Sequence, residues 1–176
     1  MDILRNYLDF EILEEHYYTP ILFKQDTERF QHIIKKQSEI EFLHTLKEYL
    51  TQDDNMLKDF DWWYFSKIDE TIDRIGIPYF NSDKSQYDNF YPDFIFWLKK
   101  GNKYYIKFID PHGVEYTTNS ADKIDGFLDF VDDLDKLRSK NLEKVNLYYF
   151  NEQQPGREIK EEYRRYWTND FVKIFS

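Results

Sequence analysis

No cysteine occurs among the 176 residues, which excludes disulfides and thiolate metal sites. No apolar run approaches the ~18 residues a membrane span needs. The opening stretch MDILRNYLDFEILEEHYY is acidic where a secretory leader would be basic, so a soluble, cytoplasmic protein with no membrane partner is expected. A basic surplus is also missing: 24 Lys and Arg stand against 34 Asp and Glu, a net charge of −10. Free-standing nucleic-acid binders usually carry the opposite balance. If DNA is the substrate, something beyond this chain helps to hold it. There is no Gly-rich phosphate-binding loop, which places any ATPase motor elsewhere.

What is present is globular: 41% hydrophobic and 33% charged residues, a composition that folds rather than stays disordered. The length suits one domain, residues 1–176, read as a lead-in (1–37), a core (38–150) and a C-terminal extension (151–176). The 16 Phe, 15 Tyr and 4 Trp serve mainly to fill that core and stiffen strands, with base stacking as the rarer use. SEIEFLHTLKEYLTQ (38–52) has Ile40, Leu43, Leu46 and Leu50 at helical spacing, with Ser38 as N-cap. FDWWYFSKI (60–68) reads as a strand, and PYFNSDKSQYDN after it as a polar loop. Two more strands follow at about 92–99 and 103–110. NSADKIDGFLDFVDDLDKLRSK (119–140) is a second helix, with Ile124, Phe127, Leu128, Val131, Leu134 and Leu137 on one stripe. KVNLYYF (144–150) is a fourth strand, and the tail holds a short helix and a possible last strand. Three strands pairing as a meander, with the second helix returning the chain to a parallel fourth, make a mixed α/β sheet flanked by helices.

The stretch NFYPDFIFWLKKGNKYYIKFIDPHG (89–113) carries the chemistry. A hairpin about Gly101-Asn102 brings together the strand ends far from the turn, and with them Asp93 and Asp110. Side chains alternate faces along a strand, so Asp110 and His112 share one face, while Lys107 has the opposite phase and points away. Two carboxylates, the Pro111 carbonyl and waters would form an oxygen site suited to Mg²⁺ or Mn²⁺. Such an ion polarises a phosphate and sharpens a water nucleophile. Spacing alone leaves this reading level with a plainer one, in which both are ordinary strand-end acids beside proline.

A Pro-Asp, then an acid two residues before a lysine on the next strand, preceded by a glutamate-bearing helix, is the pattern of PD-(D/E)xK nucleases. SEIEFL, DWWYFSKIDETIDRIGIPYFN, YPDFIFWLKKGNKYYIKFIDPHG and DKIDGF, in that order, resemble the C-terminal nuclease domain of restriction-enzyme-like DEAD/DEAH-box helicases, similar to the restriction subunit of type III systems. The resemblance runs from about residue 16 to 150. It implies a restriction-endonuclease-like fold and a Mg²⁺- or Mn²⁺-dependent endodeoxyribonuclease. A helicase motor on the parent chain or a partner, and a methyltransferase subunit, are the partners it suggests. Asp93 matches the motif aspartate, Asp110 the second acid, and Glu39 the helix glutamate, with Glu41 as its alternative.

The departure is His112 in the lysine position. A lysine is cationic at pH 7, whereas a histidine with an ordinary pKa near ~6.5 is mostly neutral there. His112 then orients the water or acts as general base, ligates the metal, or marks a site that has lost activity. In the last case the chain is a catalytically degenerate DNA-guiding or docking module. Lys123, near the start of the second helix, is the candidate substitute cation. The literal acid-x-Lys in the tail, EIK at 158–160, is read as coincidence. The basic pairs Lys35-Lys36 and Arg164-Arg165, like Lys99-Lys100-Lys103, are solvated faces or weak phosphate contacts.

Overall fold

A computed structural model describes residues 13, 15–17, 34, 36–71, 73, 75–111, 119–137 (side chains of 135–137 excepted), 141–151 and 159–176. Helix α1 (Gln37–Leu50) is followed by β1 (Trp62–Lys67), β2 (Ile77–Asn81), β3 (Gln86–Phe90), β4 (Phe94–Lys100) and β5 (Lys103–Asp110). Then come α2 (Ser120–Leu137), β6 (Leu142–Tyr149) and a five-residue helix α3 (Phe171–Phe175). The main sheet has the order β1-β4-β5-β6. β4 is antiparallel to both β1 and β5, and β6 runs parallel to β5. The expected meander and its parallel fourth strand are therefore present, in an α/β mixed sheet flanked by helices. Among the described residues no helix is long and apolar enough to cross a membrane.

Two faces of this sheet bury two clusters. Trp63, Phe65, Phe94, Phe96, Leu98 and Ile109 pack against Phe42, Leu43, Leu46 and Tyr49 of α1 and against α3. Ile95, Phe108, Leu147 and Tyr149 pack against Ile124 and Phe127 of α2 on the other side. The alternation that separates the sets is the period-two rule of a strand covered on both faces. The β4–β5 turn needs its glycine: Gly101 adopts φ +59°, the first central position of a primed hairpin turn. Its N–H donates to Asp61 at 2.9 Å.

The sequence reading departs from the structure in four places. The stretch expected as a polar loop is an antiparallel hairpin, β2–β3, with Ile77 paired to Phe90 and Asn81 to Gln86. Ile77, Tyr79 and Asn81 of β2 are buried in alternation, but one of the three is polar and the outer positions are mixed, which conceals the period. Ser38 lies inside α1; the N-cap is Lys36, with no side-chain capping bond. Leu128 projects outward at the edge of the α2 stripe, while Phe130 and Val131 join the core. The tail's last element is α3, capped by the Asp170 carboxylate accepting from Val172 N–H at 2.8 Å; its link to the sheet is a lone parallel bridge, Tyr149 to Trp167.

The hairpin lies flat on α2. Ser82 donates from both N–H and Oγ to Asp122, at 2.9 and 2.7 Å. A methyl group at Gly126 would lie 2.6 Å from the Pro78 carbonyl oxygen and collide with Tyr79 as well. Backbone cannot yield as a side-chain tip can, so Gly126→Ala is expected to cost about 1–3 kcal/mol by overpacking. A urea midpoint unchanged in Gly126→Ala would show that α2 and β2 are not so closely apposed.

Candidate functional site: a lysine between two buried acids

The strand ends opposite the Gly101 turn gather the charged residues. Phe94 pairs with Ile109, so Asp93, just before Phe94, and Asp110, just after Ile109, sit at the same rim of the sheet. Ile68 N–H donates to the Asp93 carbonyl at 2.7 Å, which extends the β1–β4 ladder to this point. Pro92 precedes a bend at Asp93, and the bend lets the carboxylate turn toward α1 instead of following strand alternation. Asp110 keeps the phase of Phe108 and belongs to the α2 side. There, burial and then the Asp110 charge push the Tyr149 hydroxyl well above its ordinary value.

Glu39 occupies the first turn of α1, where a carboxylate is favoured by the helix dipole. It is nevertheless buried, its side chain only 3% exposed. Glu41, the alternative, is exposed and accepts from Gln37 at 2.9 Å. What joins Glu39 to Asp93 is Lys67, the last residue of β1. Its Nζ lies 2.8 Å from Asp93 Oδ1, 3.2 Å from Glu39 Oε1 and 3.2 Å from the Ile68 carbonyl. Its side chain is 10% exposed. Lys36, half in solvent, adds longer contacts of 3.5 Å to Asp93 and 3.7 Å to Glu39.

The electrostatics follow from burial and pairing. Burial, then the charge of Asp93, raises the Glu39 carboxyl above its ordinary value, with Lys67 and Lys36 opposing. Burial acts to lower the Lys67 ammonium, but Asp93 and Glu39 together outweigh it and hold it above the ordinary lysine value. Tyr17, in an isolated bridge with Phe65, buttresses β1. Burial pushes its hydroxyl up to about 12; a hydrogen bond with the Lys67 backbone opposes this and the Asp73 charge adds to it.

Of the expected site residues, the structure brings Glu39 and Asp93 together, sets Asp110 at the same rim, and buries Pro111 beside it. His112 lies outside the described residues. Lys123 has its Nζ over the Phe90 ring, 4.7 Å from the centroid, on the hairpin side. Lys107 points to the α1 face, as its phase requires, and lies 5.9 Å from the Tyr148 ring. Lys67 was the residue missed. The available sign was its place as the third inward position, after Trp63 and Phe65, in a strand whose other inward residues are large and apolar.

Oxygen donors of carboxylate type suit a hard divalent ion. Glu39 Oε2 is buried with no hydrogen-bond partner, a lone pair left for a cation. As the side chains stand, no three acids or histidines among the described residues are grouped to hold a metal ion. The donors fit in kind; the ammonium of Lys67 lies between two of them.

The fold and site thus define an α/β domain with a buried diacid–lysine cluster at one rim of a mixed sheet. A family model described as the YagJ family matches residues 30–154, a span holding every residue of that cluster, and the chain belongs to the YagJ family. No curated protein and no solved structure matches the chain.

Proposed function

We propose that the protein is a metal-dependent DNA endonuclease domain with a restriction-endonuclease-like core, working in the cytoplasm as part of a restriction or helicase-type system. The observation that carries this reading is the convergence of Glu39 and Asp93 on one buried lysine, at the rim where Asp110 ends the next strand. The order of helix, antiparallel meander, helix and parallel strand supports it. Glu39 and Asp93 would hold a Mg²⁺ or Mn²⁺ ion on the α1 side of the rim, and Asp110 with the Pro111 carbonyl would join them by a turn of the Asp110 carboxylate away from α2. When bound, the ion supplies charge for a phosphate oxygen and a more acidic water. Glu39 would help to hold the ion and orient its water from the α1 side. Lys67 supplies a positive charge beside the acids, the part played by the lysine of the motif where this chain has His112. The net charge of −10 gives little counterion-release affinity for DNA, so a motor on the parent chain or a partner provides the grip.

Nicking of supercoiled plasmid with Mn²⁺ or Mg²⁺ tests the reading. The wild type is expected to nick slowly, and Asp93→Asn and Asp110→Ala to be at least about 100-fold slower, since each removes several kcal/mol of charge stabilisation. Equal cutting by wild type and Asp110→Ala would remove the site assignment.

A second reading has its own observation. The Lys67 and Lys36 ammoniums together already offset Glu39 and Asp93, and Asp110 faces the α2 side. A catalytically degenerate module that guides DNA or docks on a helicase would keep such a self-paired cluster for the fold alone. It predicts no cleavage by any variant, even when joined to its motor.

A further inference from the structure

We infer that Lys67 is a built-in occupant of the cation site: a divalent ion and the Lys67 ammonium compete for the same two carboxylates, and metal entry frees the lysine for a substrate phosphate. This rests on the metal-dependent reading above.

Three observations carry it. First, Lys67 Nζ contacts Asp93 Oδ1 and Glu39 Oε1 at hydrogen-bonding distance, so it lies where an ion shared by these acids would be held. Second, the partner oxygen Glu39 Oε2 is buried and makes no hydrogen bond. One ammonium, with three donors, has spent them on Asp93, Glu39 and the Ile68 carbonyl, and leaves this oxygen unserved. A divalent ion, which accepts six or more oxygens, can take both oxygens of a carboxylate. Third, Lys36 already lends a second positive charge at 3.5 and 3.7 Å. Adding a dication without moving Lys67 would place four positive charges against the two acids in a poorly solvated pocket. Like charges a few ångströms apart repel by several kcal/mol at the rim of a protein, so one cation has to leave.

Lys67 is the one that can. It terminates β1, its stem has four rotatable carbons, and its side chain retains 10% exposure, a path to solvent. Released, the ammonium remains at the same rim as Asp93 and Asp110, where a point charge for a phosphate oxygen is needed. The device makes metal occupancy and the presentation of the lysine a single event. It also lowers the apparent metal affinity of the wild type by the fraction of molecules with Lys67 out of the way.

Mn²⁺ titration by electron paramagnetic resonance, on the full chain, tests this with wild type, Lys67→Gln and Asp93→Asn. The expected result is weak binding by wild type, binding about tenfold tighter or better by Lys67→Gln, and loss in Asp93→Asn. Because Lys67→Gln strips a charge from a buried cluster and weakens the fold, a second measurement uses the wild type alone: saturating Mn²⁺ should raise the acylation rate of Lys67 by an amine-reactive ester, read by peptide mass spectrometry. Equal or weaker Mn²⁺ binding in folded Lys67→Gln, or wild-type labelling of Lys67 unchanged by bound Mn²⁺, would overturn the competition and leave a metal site intact. No Mn²⁺ binding by any variant would overturn it together with the metal-dependent reading. Displacement of Lys67 by Mn²⁺ without plasmid nicking would keep the competition and remove the nuclease.

Discussion

Lys67→Met should unfold with a loss of about 3–5 kcal/mol at pH 7, the cost of stripping one partner from a buried ion cluster. The methionine fills the space of the lysine stem, so packing against Phe94 changes little; the Nζ lies 5.7 Å from that ring. What is lost is the charge that offsets Glu39 and Asp93. Two carboxylates then face one another, with the half-exposed Lys36 as the remaining cation in contact among the described residues. The pH dependence gives the cause away. Glu39 is already raised above its ordinary value by burial and by Asp93, and removal of Lys67 raises it further. A carboxyl with a raised folded value binds its proton more tightly folded than unfolded, so stability present at low pH is lost as pH rises through that value. The variant should therefore recover much of its loss between pH 7 and about pH 5, where the wild type gains less. Adding Glu39→Gln to Lys67→Met should restore part of it at pH 7. Denaturant midpoints at both pH values decide the matter; a deficit of the same size at each would show that the lysine acts through packing rather than charge.

Lys107→Met should move stability the other way. Lys107 is 1% exposed in the centre of β5, between Phe96 and Asn146 on the neighbouring strands, and no carboxylate pairs with it among the described residues. Burial, and then the like charge of Lys144, lower its ammonium from 10.5 to about 8. A lysine with a depressed folded value is protonated more readily when unfolded, so between about pH 8 and the ordinary lysine value the unfolded state binds more protons. Wild-type stability must rise with pH across that window and carry the full cost of the buried charge below it. The cost is about 3 kcal/mol at pH 7. Lys107→Met, similar in volume and without the charge, should be more stable by that order at pH 7 and nearly level with the wild type by about pH 11. A variant less stable at pH 7 would mean that the ammonium is compensated in the fold.

Both lysines bear on how much of this protein could be read from its sequence. The main sheet was legible because its strands are long and dense in aromatic and β-branched residues, and because Gly101-Asn102 marks a hairpin turn. The rim acids were legible because Pro-Asp and Asp-Pro punctuate strand ends. The β2–β3 hairpin was not, since Asn81 fills an inward position through bonds to its own neighbourhood: its amide donates to Asp88 at 2.9 Å, and its carbonyl accepts from Lys84 N–H at 3.2 Å. Polar residues satisfied so locally look like loop. Lys67 escaped for a related reason. A lysine at a strand end reads as a solvent-facing charge, and only the partners from α1 and β4, distant in sequence, make it an inward one. Phase along β5, by contrast, separated Lys107 from Asp110, because alternation needs no knowledge of the partner. Yet the face it gives Lys107 is the α1 face, on which Glu39, Lys67 and Asp93 meet.

The Ile68–Asp93 hydrogen bond has a further consequence. It ties off the base of the whole excursion that carries β2 and β3, so the chain leaves the sheet and re-enters it at adjacent points. Closing a longer or shorter loop between fixed ends changes the entropy only logarithmically with its length. The excursion's far tip lies between Lys84 and Ser85, beyond the Ser82 anchor on Asp122 and the Lys84 N–H bond to Asn81. It is therefore the place where a reporter peptide or a fluorophore-bearing insert can be spliced in with least disturbance of the strand register.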